Sequence, residues 1–173
     1  LPPDQRAVIG IASVIGRTFD PAGVADLLDA DVSAVDGAVR ELVRKDLVRP
    51  ERTPDGEVFR FRHVLILQAT YEMLPKGRRA ELHEAVARRL GSATAYDELA
   101  GDHLARAAGA LADIGEDLER VVALRRQAAS RLGAGASRAV ARGDMPAAAS
   151  LYSIATDLIS SDDPERLSML PEF

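Results

Sequence analysis

The sequence contains no cysteine, and aromatic side chains make up only 4% of it. The absence of cysteine excludes disulfide bonds, thiolate-bound metals and a cysteine nucleophile, and it fits a cytoplasmic setting. Because aromatics are scarce, the hydrophobic core must be built from Ala, Leu, Val and Ile side chains. No apolar run approaches the roughly 18 residues that a membrane span requires, and no signal peptide is recognisable, so we expect no membrane partner.

The length and charge of the chain limit its class. Its 173 residues suffice for one medium domain or two small ones. The net charge of −5 offers no bulk attraction to nucleic acid or to an anionic membrane. Because the chain starts at Leu1 rather than Met and stops at LPEF, we expect it to be a piece of a larger protein.

The first 62 residues predict three helices followed by a β-hairpin. Asp20 and Pro21 have the residue types of a helix N-cap and a first helical position, and Asp31 or Ser33 could cap the third helix. Two short extended runs then flank the turn sequence PDG. These are the elements of a winged helix with a hairpin wing. The residues expected to face its core are Val8, Ile11, Ala12, Ile15, Val24, Leu27, Leu28, Val35, Val39, Leu42 and Val43.

The remainder of the chain predicts helices only. Residues 63–115 are interpreted as a helical linker or arm, interrupted at Pro75, and residues 116–173 as the start of tetratricopeptide-like repeats. The segment DDPERLSMLPEF would begin the next repeat, with Asp163 as its cap and Pro164 at its first helical position. The fold class is therefore mainly α, a winged helix followed by an antiparallel helical array. The small residues that would allow close helix packing are Ala128, Ala136, Ala139, Ala147, Ala148 and Ala155.

Catalytic motifs are not visible in the sequence. It has no Walker A loop, no serine in a glycine elbow and no carboxylate pair that stands out from ordinary helix surfaces. His63, His83 and His103 are evenly spaced, which is compatible with a zinc site. Each lies on a different predicted element, however, and no two of them lie one turn apart on one helix face, so a zinc site is disfavoured. We therefore expect no catalytic residue and no metal site, and we interpret His83 and His103 as structural.

A winged helix raises the question of DNA binding. The wing carries Arg49, Arg52, Arg60 and Arg62, which could contact phosphates. The outward face of the third helix is less suitable, because it mixes acidic and small residues that read bases poorly. The first 62 residues contain 9 Lys and Arg against 11 Asp and Glu, whereas dedicated DNA-binding units are usually basic. We favour a protein-packing role over a DNA-binding transcription factor with a helical effector domain.

His63 occupies the joint at which the strand pattern of FRFR changes to a helical pattern. It could be a helix cap, a packed core residue, a metal ligand or a contact to a phosphate. An imidazole can donate a hydrogen bond to a phosphate oxygen, and the N-terminus of the following helix adds a positive dipole. From the residues alone these roles remain open.

The order of three segments resembles the region that follows the ATPase core in the signal-transducing STAND ATPases. The segments are LPPDQRAVIGIASVIGRTFD, AVRELVRKDLVRPE and FRFRHVLILQATYEMLPKGRRAELHEAVARRL. The likeness is to the large bacterial regulators that join a LuxR-type DNA-binding domain or a nucleotide cyclase to an ATPase and tetratricopeptide repeats. RAVARGDMPAAASLYSIATDLI resembles their first repeats.

The resemblance implies a non-catalytic regulatory module that couples nucleotide state to conformational change. In that family a histidine in the position of His63 reaches the β-phosphate of ADP in the resting state. The partners would be the ATPase core of the same chain and proteins bound by the helical repeats. ADP or ATP with Mg²⁺ would bind the parent protein and not this part of it. A pure helical-repeat scaffold remains a further alternative.

Overall fold

A computed structural model describes residues 1–54 and 56–159. These residues are mainly helical and include a small antiparallel sheet. The chain forms two compact units, Leu1–Leu82 and His83–Phe173. The predicted boundaries after residues 62 and 115 fall inside the first and second unit respectively. The predicted repeat start at DDPERLSMLPEF, with Asp163 and Pro164, lies outside the described residues.

The elements follow one another in the order that the sequence predicts, with two additions, a short first strand and a 3₁₀ turn. The first unit contains α1 (Pro3–Ile15), β1 (Thr18–Phe19), α2 (Pro21–Leu28), α3 (Val32–Arg44), β2 (Val48–Thr53), β3 (Gly56–Phe61), α4 (Val64–Glu72) and the start of α5 (Lys76–Leu90). The second unit contains the rest of α5, a 3₁₀ turn (Thr94–Tyr96), α6 (Asp97–Ala112), α7 (Leu118–Ala141) and α8 (Met145–Leu158). Among the described residues after Pro75 there is no strand, as the helical pattern predicted.

The added strand, β1, turns the predicted hairpin into a three-stranded antiparallel sheet of order β1-β3-β2. Phe19 lies opposite Phe59 in the ladder, and its ring centroid is 6.1 Å from that of Phe59 and 5.8 Å from that of Phe61. This aromatic cluster anchors the sheet in the core of the first unit. A two-residue strand is too short for an alternating pattern to reveal it in the sequence.

Aspartates begin two of the helices in the first unit, as predicted. Asp20 Oδ1 accepts a hydrogen bond of 2.6 Å from the Gly23 amide, and Asp31 Oδ1 accepts one of 2.7 Å from the Ser33 amide. Asp31, and not Ser33, is therefore the cap of α3. Each cap satisfies a backbone donor that the helix itself cannot pair.

The predicted core faces of the first three helices are buried or half-buried. Ile15, Leu27, Leu28 and Val43 are the half-buried members of that set. Helix α1 packs against α2, α3 and α4, so it is buried on more than the single face that its apolar stripe predicts. The fully buried members are Val8, Ile11, Ala12, Val24, Val35, Val39 and Leu42.

In the second unit, α6 and α8 each run antiparallel to α7. Gly101 packs against Leu132 and Glu98 against Gly135, so contacts move down one helix as they move up the other. Along α8 a buried cluster joins the two helices through small and aliphatic side chains, Ala129, Leu132, Ala155 and Ile159. Of the predicted small residues, Ala128, Ala136, Ala139, Ala148 and Ala155 are buried and Ala147 is half-buried.

Candidate functional site

His63 lies at the N-cap position of α4, where the chain leaves β3. Its backbone is extended, with φ −134° and ψ 146°, and its side chain makes no capping hydrogen bond. The imidazole is exposed, so His63 is not a core residue of this unit. It occupies the cap position without acting as a side-chain cap, which leaves the ring available to another group.

The backbone on both sides of His63 is held by hydrogen bonds. The Arg62 amide donates to the Leu47 carbonyl at 3.0 Å, and the Phe61 amide donates to the Arg17 carbonyl at 3.1 Å. The Ile66 amide donates to the His63 carbonyl at 3.1 Å and starts the helix. The imidazole therefore projects from a fixed strand-to-helix joint beside the N-terminus of α4, whose first amides give it positive dipole character.

Helix α4 has an apolar sequence, VLILQATYE, yet it contains no buried residue. Val64 is 57% exposed, Leu65 is 71% exposed and Met73, at its C-cap, is 70% exposed. Val64 and Leu65 are adjacent in the first turn of the helix, and we call these two side chains the α4 apolar face. Two exposed aliphatic side chains in the first turn of a short helix, with a third exposed apolar side chain, Met73, at its C-cap, are unusual for a helix that faces only solvent.

A cavity of about 340 Å³ lies beside this helix, between α1 and α4. Its lining is predominantly apolar and includes Gly10 and Ala7 of α1 and Met73 and Leu74 at the end of α4. The cavity adds a concave apolar surface to the same unit, with the exposed Met73 as part of its lining. Together they give the first unit a surface suited to packing against another protein domain.

The four arginines of the predicted wing lie on β2 and β3 or at their end, and carboxylates accompany them. Arg60 contacts Glu51 at 3.4 Å, and Arg62 contacts Asp46 at 3.5 Å. Arg52 lies opposite Glu57 in the strand register, whereas Arg49 lies opposite Arg60. The positive charge of this surface is therefore largely offset, which weakens attraction to phosphates. A contact of these arginines with phosphates of another molecule remains a prediction.

His83 of α5 and His103 of α6 meet inside the second unit, which the sequence did not reveal. Both side chains are buried, with 1% and 3% of their surface exposed, and their Nδ1 atoms are 2.8 Å apart. Burial lowers the pKa of His103, the charge of Asp102 raises it, and Arg106 lowers it further; the net direction is down. The two ring nitrogens therefore share a buried hydrogen bond, and burial favours the neutral form of His103. The helical spacing of His83 with Leu82 and Val86 was the only available signal that it points inward.

Asp97 forms a second buried polar cluster in this unit. Its carboxylate receives hydrogen bonds from Arg131 at 2.5 Å and from Arg138 at 2.7 Å. Burial acts to raise the pKa of Asp97, but the two guanidinium hydrogen bonds outweigh it, and the net pKa lies below the usual range. Arg131 and Arg138 are seven residues apart, or about two helical turns, so they project from one face of α7. The cluster joins the start of α6 to α7.

Two further observations concern the described residues as a whole. They contain no group of three or more His, Cys, Asp or Glu side chains arranged to hold a metal ion. None of their helices combines the length and the apolar character needed to cross a membrane.

Comparison with family models, curated proteins and solved structures found no match to this chain. Function is therefore inferred from the chain's own residues.

Proposed function

We propose that this chain is the non-catalytic regulatory region of a signalling ATPase of the STAND kind. In this proposal the first unit is a winged helix that packs against the nucleotide-binding core of the same protein, and His63 hydrogen-bonds the β-phosphate of bound ADP. The second unit is the start of a tetratricopeptide-like array that binds protein partners. The output domain would be a DNA-binding domain or a nucleotide cyclase.

The observation that carries this proposal is the exposed imidazole of His63 beside the α4 apolar face. An exposed hydrogen-bond donor at a helix N-terminus can contact an anion, and the neighbouring exposed Val64 and Leu65 supply a surface for docking. A domain that covered these two side chains would also lie next to His63, which directly precedes them in the chain. The order of α1, α2, α3 and the β2–β3 hairpin, with β1 added at the edge of β3, agrees with a winged helix.

The antiparallel contacts of α7 with α8 support the repeat interpretation of the second unit. The short connection from Ala141 to Met145 and the contact of the Ser137 hydroxyl with the Tyr152 hydroxyl at 3.0 Å are typical of a helical hairpin. Such a unit gains stability by stacking on further copies. No comparable observation favours DNA binding, because three of the four wing arginines, Arg52, Arg60 and Arg62, lie beside or opposite carboxylates.

The experiment is a substitution of His63 by Ala in the intact parent protein. We expect ADP to bind about 10- to 150-fold more weakly, because one hydrogen bond to a charged group contributes roughly 1.5–3 kcal/mol. The population should also shift toward the active form, since the lost contact exists only in the ADP-bound state. ADP affinity is measured by calorimetry and activation by the output activity.

The matched control is Gln68→Ala, an exposed position on the same helix. It should leave ADP affinity unchanged. Melting temperature is measured for both variants, because a purely structural role of His63 predicts lower stability with unchanged ADP affinity. That outcome would remove the nucleotide-contact role. The absence of Walker A and Walker B motifs from the parent protein would remove the ATPase assignment as a whole.

A further inference from the structure

A cavity of about 690 Å³ opens between α5, α6 and α7 in the second unit. Its volume lies within the roughly 300–1,000 Å³ typical of small-molecule sites. The apolar part of its lining comes from Ala87, Ala100, Leu104 and Leu124, all of them buried residues of the three helices. These side chains give the cavity an apolar floor fixed by helix packing.

Positive charge is concentrated around this cavity. Arg88 of α5 and Arg126 and Arg131 of α7 line it, together with the polar side chains of Gln127 and Ser130. This arrangement differs from the chain as a whole, which carries a net charge of −5. An anion entering the cavity would therefore meet a local positive potential despite the acidity of the protein.

The single carboxylate of the lining does little to offset that charge. Glu84 is held by Arg120 of α7, whose guanidinium donates to its Oε1 at 2.8 Å. Its negative charge is thus already compensated from outside the cavity. The lining retains an excess of positive charge after this pair is counted.

One of the arginines is fixed before any ligand arrives. Arg131 donates to Asp97 at 2.5 Å and to the Gly91 carbonyl at 2.8 Å, and these bonds hold its side chain at the edge of the cavity. Asp97 offsets part of its charge, so Arg131 contributes shape and orientation more than attraction. Arg88, by contrast, is exposed at the last turn of α5 and can turn toward a ligand. A preformed wall reduces the entropy that binding costs.

We propose that this cavity binds a small amphipathic anion, an organic molecule with an apolar body and a carboxylate or phosphate group. The apolar body would lie on Ala100, Leu104 and Leu124, and the anionic group would be bound by Arg88. A guanidinium matches the two oxygens of a carboxylate or phosphate with parallel hydrogen bonds. This site is independent of His63 and of the proposed nucleotide contact. The competing interpretation is that the arginines are only solvated charges on the helix surfaces and bind no ligand.

The test uses the full 173-residue chain and three naphthalene probes. 1-Naphthoate and 1-naphthyl phosphate are amphipathic anions, and 1-naphthalenemethanol is a neutral analogue of similar apolar body. Binding is measured by titration in two-dimensional amide NMR. At least one anion should bind with shifts centred on α5, α6 and α7, and the neutral probe should bind at least about 10-fold more weakly. A preference for one of the two anions identifies the anionic group that the site selects.

Two variants and a matched control locate the site. Arg88→Gln should weaken anion binding on the order of 10-fold through loss of a charged hydrogen bond. Arg89→Gln makes the same charge change on the adjacent residue, which does not line the cavity, and should leave affinity unchanged. Ser130→Trp should fill the cavity from its exposed rim and abolish binding of all probes. Circular dichroism of each variant verifies that it is folded.

Three results would overturn the proposal. They are no binding of either anion by the folded wild-type chain, equal affinity for the neutral and anionic probes, and equal losses in Arg88→Gln and Arg89→Gln. The first outcome would mean that the arginines are only solvated charges on the helix surfaces. The second outcome would mean that the cavity is a non-selective apolar groove. The third would mean that anion affinity depends only on the net charge of the chain and not on Arg88.

Discussion

The buried contact of His83 with His103 requires one ring to donate and the other to accept. In the part of the chain that the structure describes, His103 Nε2 is buried and has no hydrogen-bonding partner. If His103 Nδ1–H donates to His83 Nδ1, only a lone pair at Nε2 is left unsatisfied. The reverse arrangement would bury an unpaired N–H, which is rarer in folded proteins. We therefore assign the proton of this hydrogen bond to His103.

This pair should make the second unit sensitive to acid. The pKa of His103 is lowered in the folded state, so the unfolded state takes up a proton first as pH falls. The stability of the pair is fully present above about pH 6.5, the ordinary histidine value, and is lost progressively below it. We expect the free energy of unfolding to drop by on the order of 1–2 kcal/mol between pH 7.5 and 5. Urea unfolding at the two pH values measures the change.

His103→Gln is the informative variant for that measurement. Glutamine keeps an amide that can hydrogen-bond but cannot titrate, so its stability should depend less on pH over the same interval. If the wild type and His103→Gln lose equal stability on acidification, other groups are responsible, and the buried pair does not carry the pH dependence.

At the scale of single elements, α6 shows why a glycine inside a helix is not always a weakness. A Cβ at Gly101 would lie 2.7 Å from Leu132 Cγ and 3.1 Å from the Ala128 carbonyl oxygen of α7. The missing side chain is what permits α6 and α7 to approach this closely. Gly109 lies on the same helix, and nothing lies within 4 Å of a Cβ placed there.

Alanine substitutions at these two positions should therefore have opposite signs. Gly109→Ala should stabilise the chain by about 0.5–1 kcal/mol, the ordinary difference in helix propensity. Gly101→Ala should destabilise it by about 1–3 kcal/mol, since α7 must move to accommodate the added methyl group. Thermal or denaturant unfolding of the two variants gives the comparison. Stabilisation by both would mean that Leu132 repacks freely and that the close approach has no energetic role.

At the scale of the whole molecule, charge limits the interaction with DNA. The chain has a net charge of −5, and the exposed face of α3 includes Arg44 beside Glu41, with which it forms an ion pair. The wing arginines Arg60 and Arg62 have carboxylate neighbours of their own. Positive charge, the main source of affinity for duplex DNA, is therefore partly offset on the surfaces that the proposed winged helix would use.

We expect the chain to bind duplex DNA no more tightly than the roughly 10⁻⁴–10⁻⁶ M of non-specific binding at physiological salt. Electrophoretic mobility shift or fluorescence anisotropy with random and genomic fragments measures the affinity. Arg89→Gln provides a control for loss of one positive charge outside the wing. Submicromolar, sequence-selective binding that is lost in Arg60→Gln or Arg62→Gln, but kept in the control, would favour the DNA-binding alternative instead.

The sequence by itself determined the helices, their starts and most of their buried faces. Asp20 and Asp31 cap the helices that follow them because a cap depends on residues only two or three positions away. Val35, Val39 and Leu42 are buried because a helix repeats its inner face every three or four residues. His63 was placed at the strand-to-helix joint in the same local way, although its exposure and its role were left open.

Tertiary structure alone decided the contacts between residues that are distant in the chain. β1 exists because Phe19 pairs with Phe59, 40 residues later in the sequence. His83 meets His103, and Asp97 meets two arginines of α7, only because the fold brings α5, α6 and α7 together. The cavity between those helices arises from the same alignment. Periodicity shows which face of a helix turns inward, but the partner of each buried polar group depends on how the faces of different helices are registered.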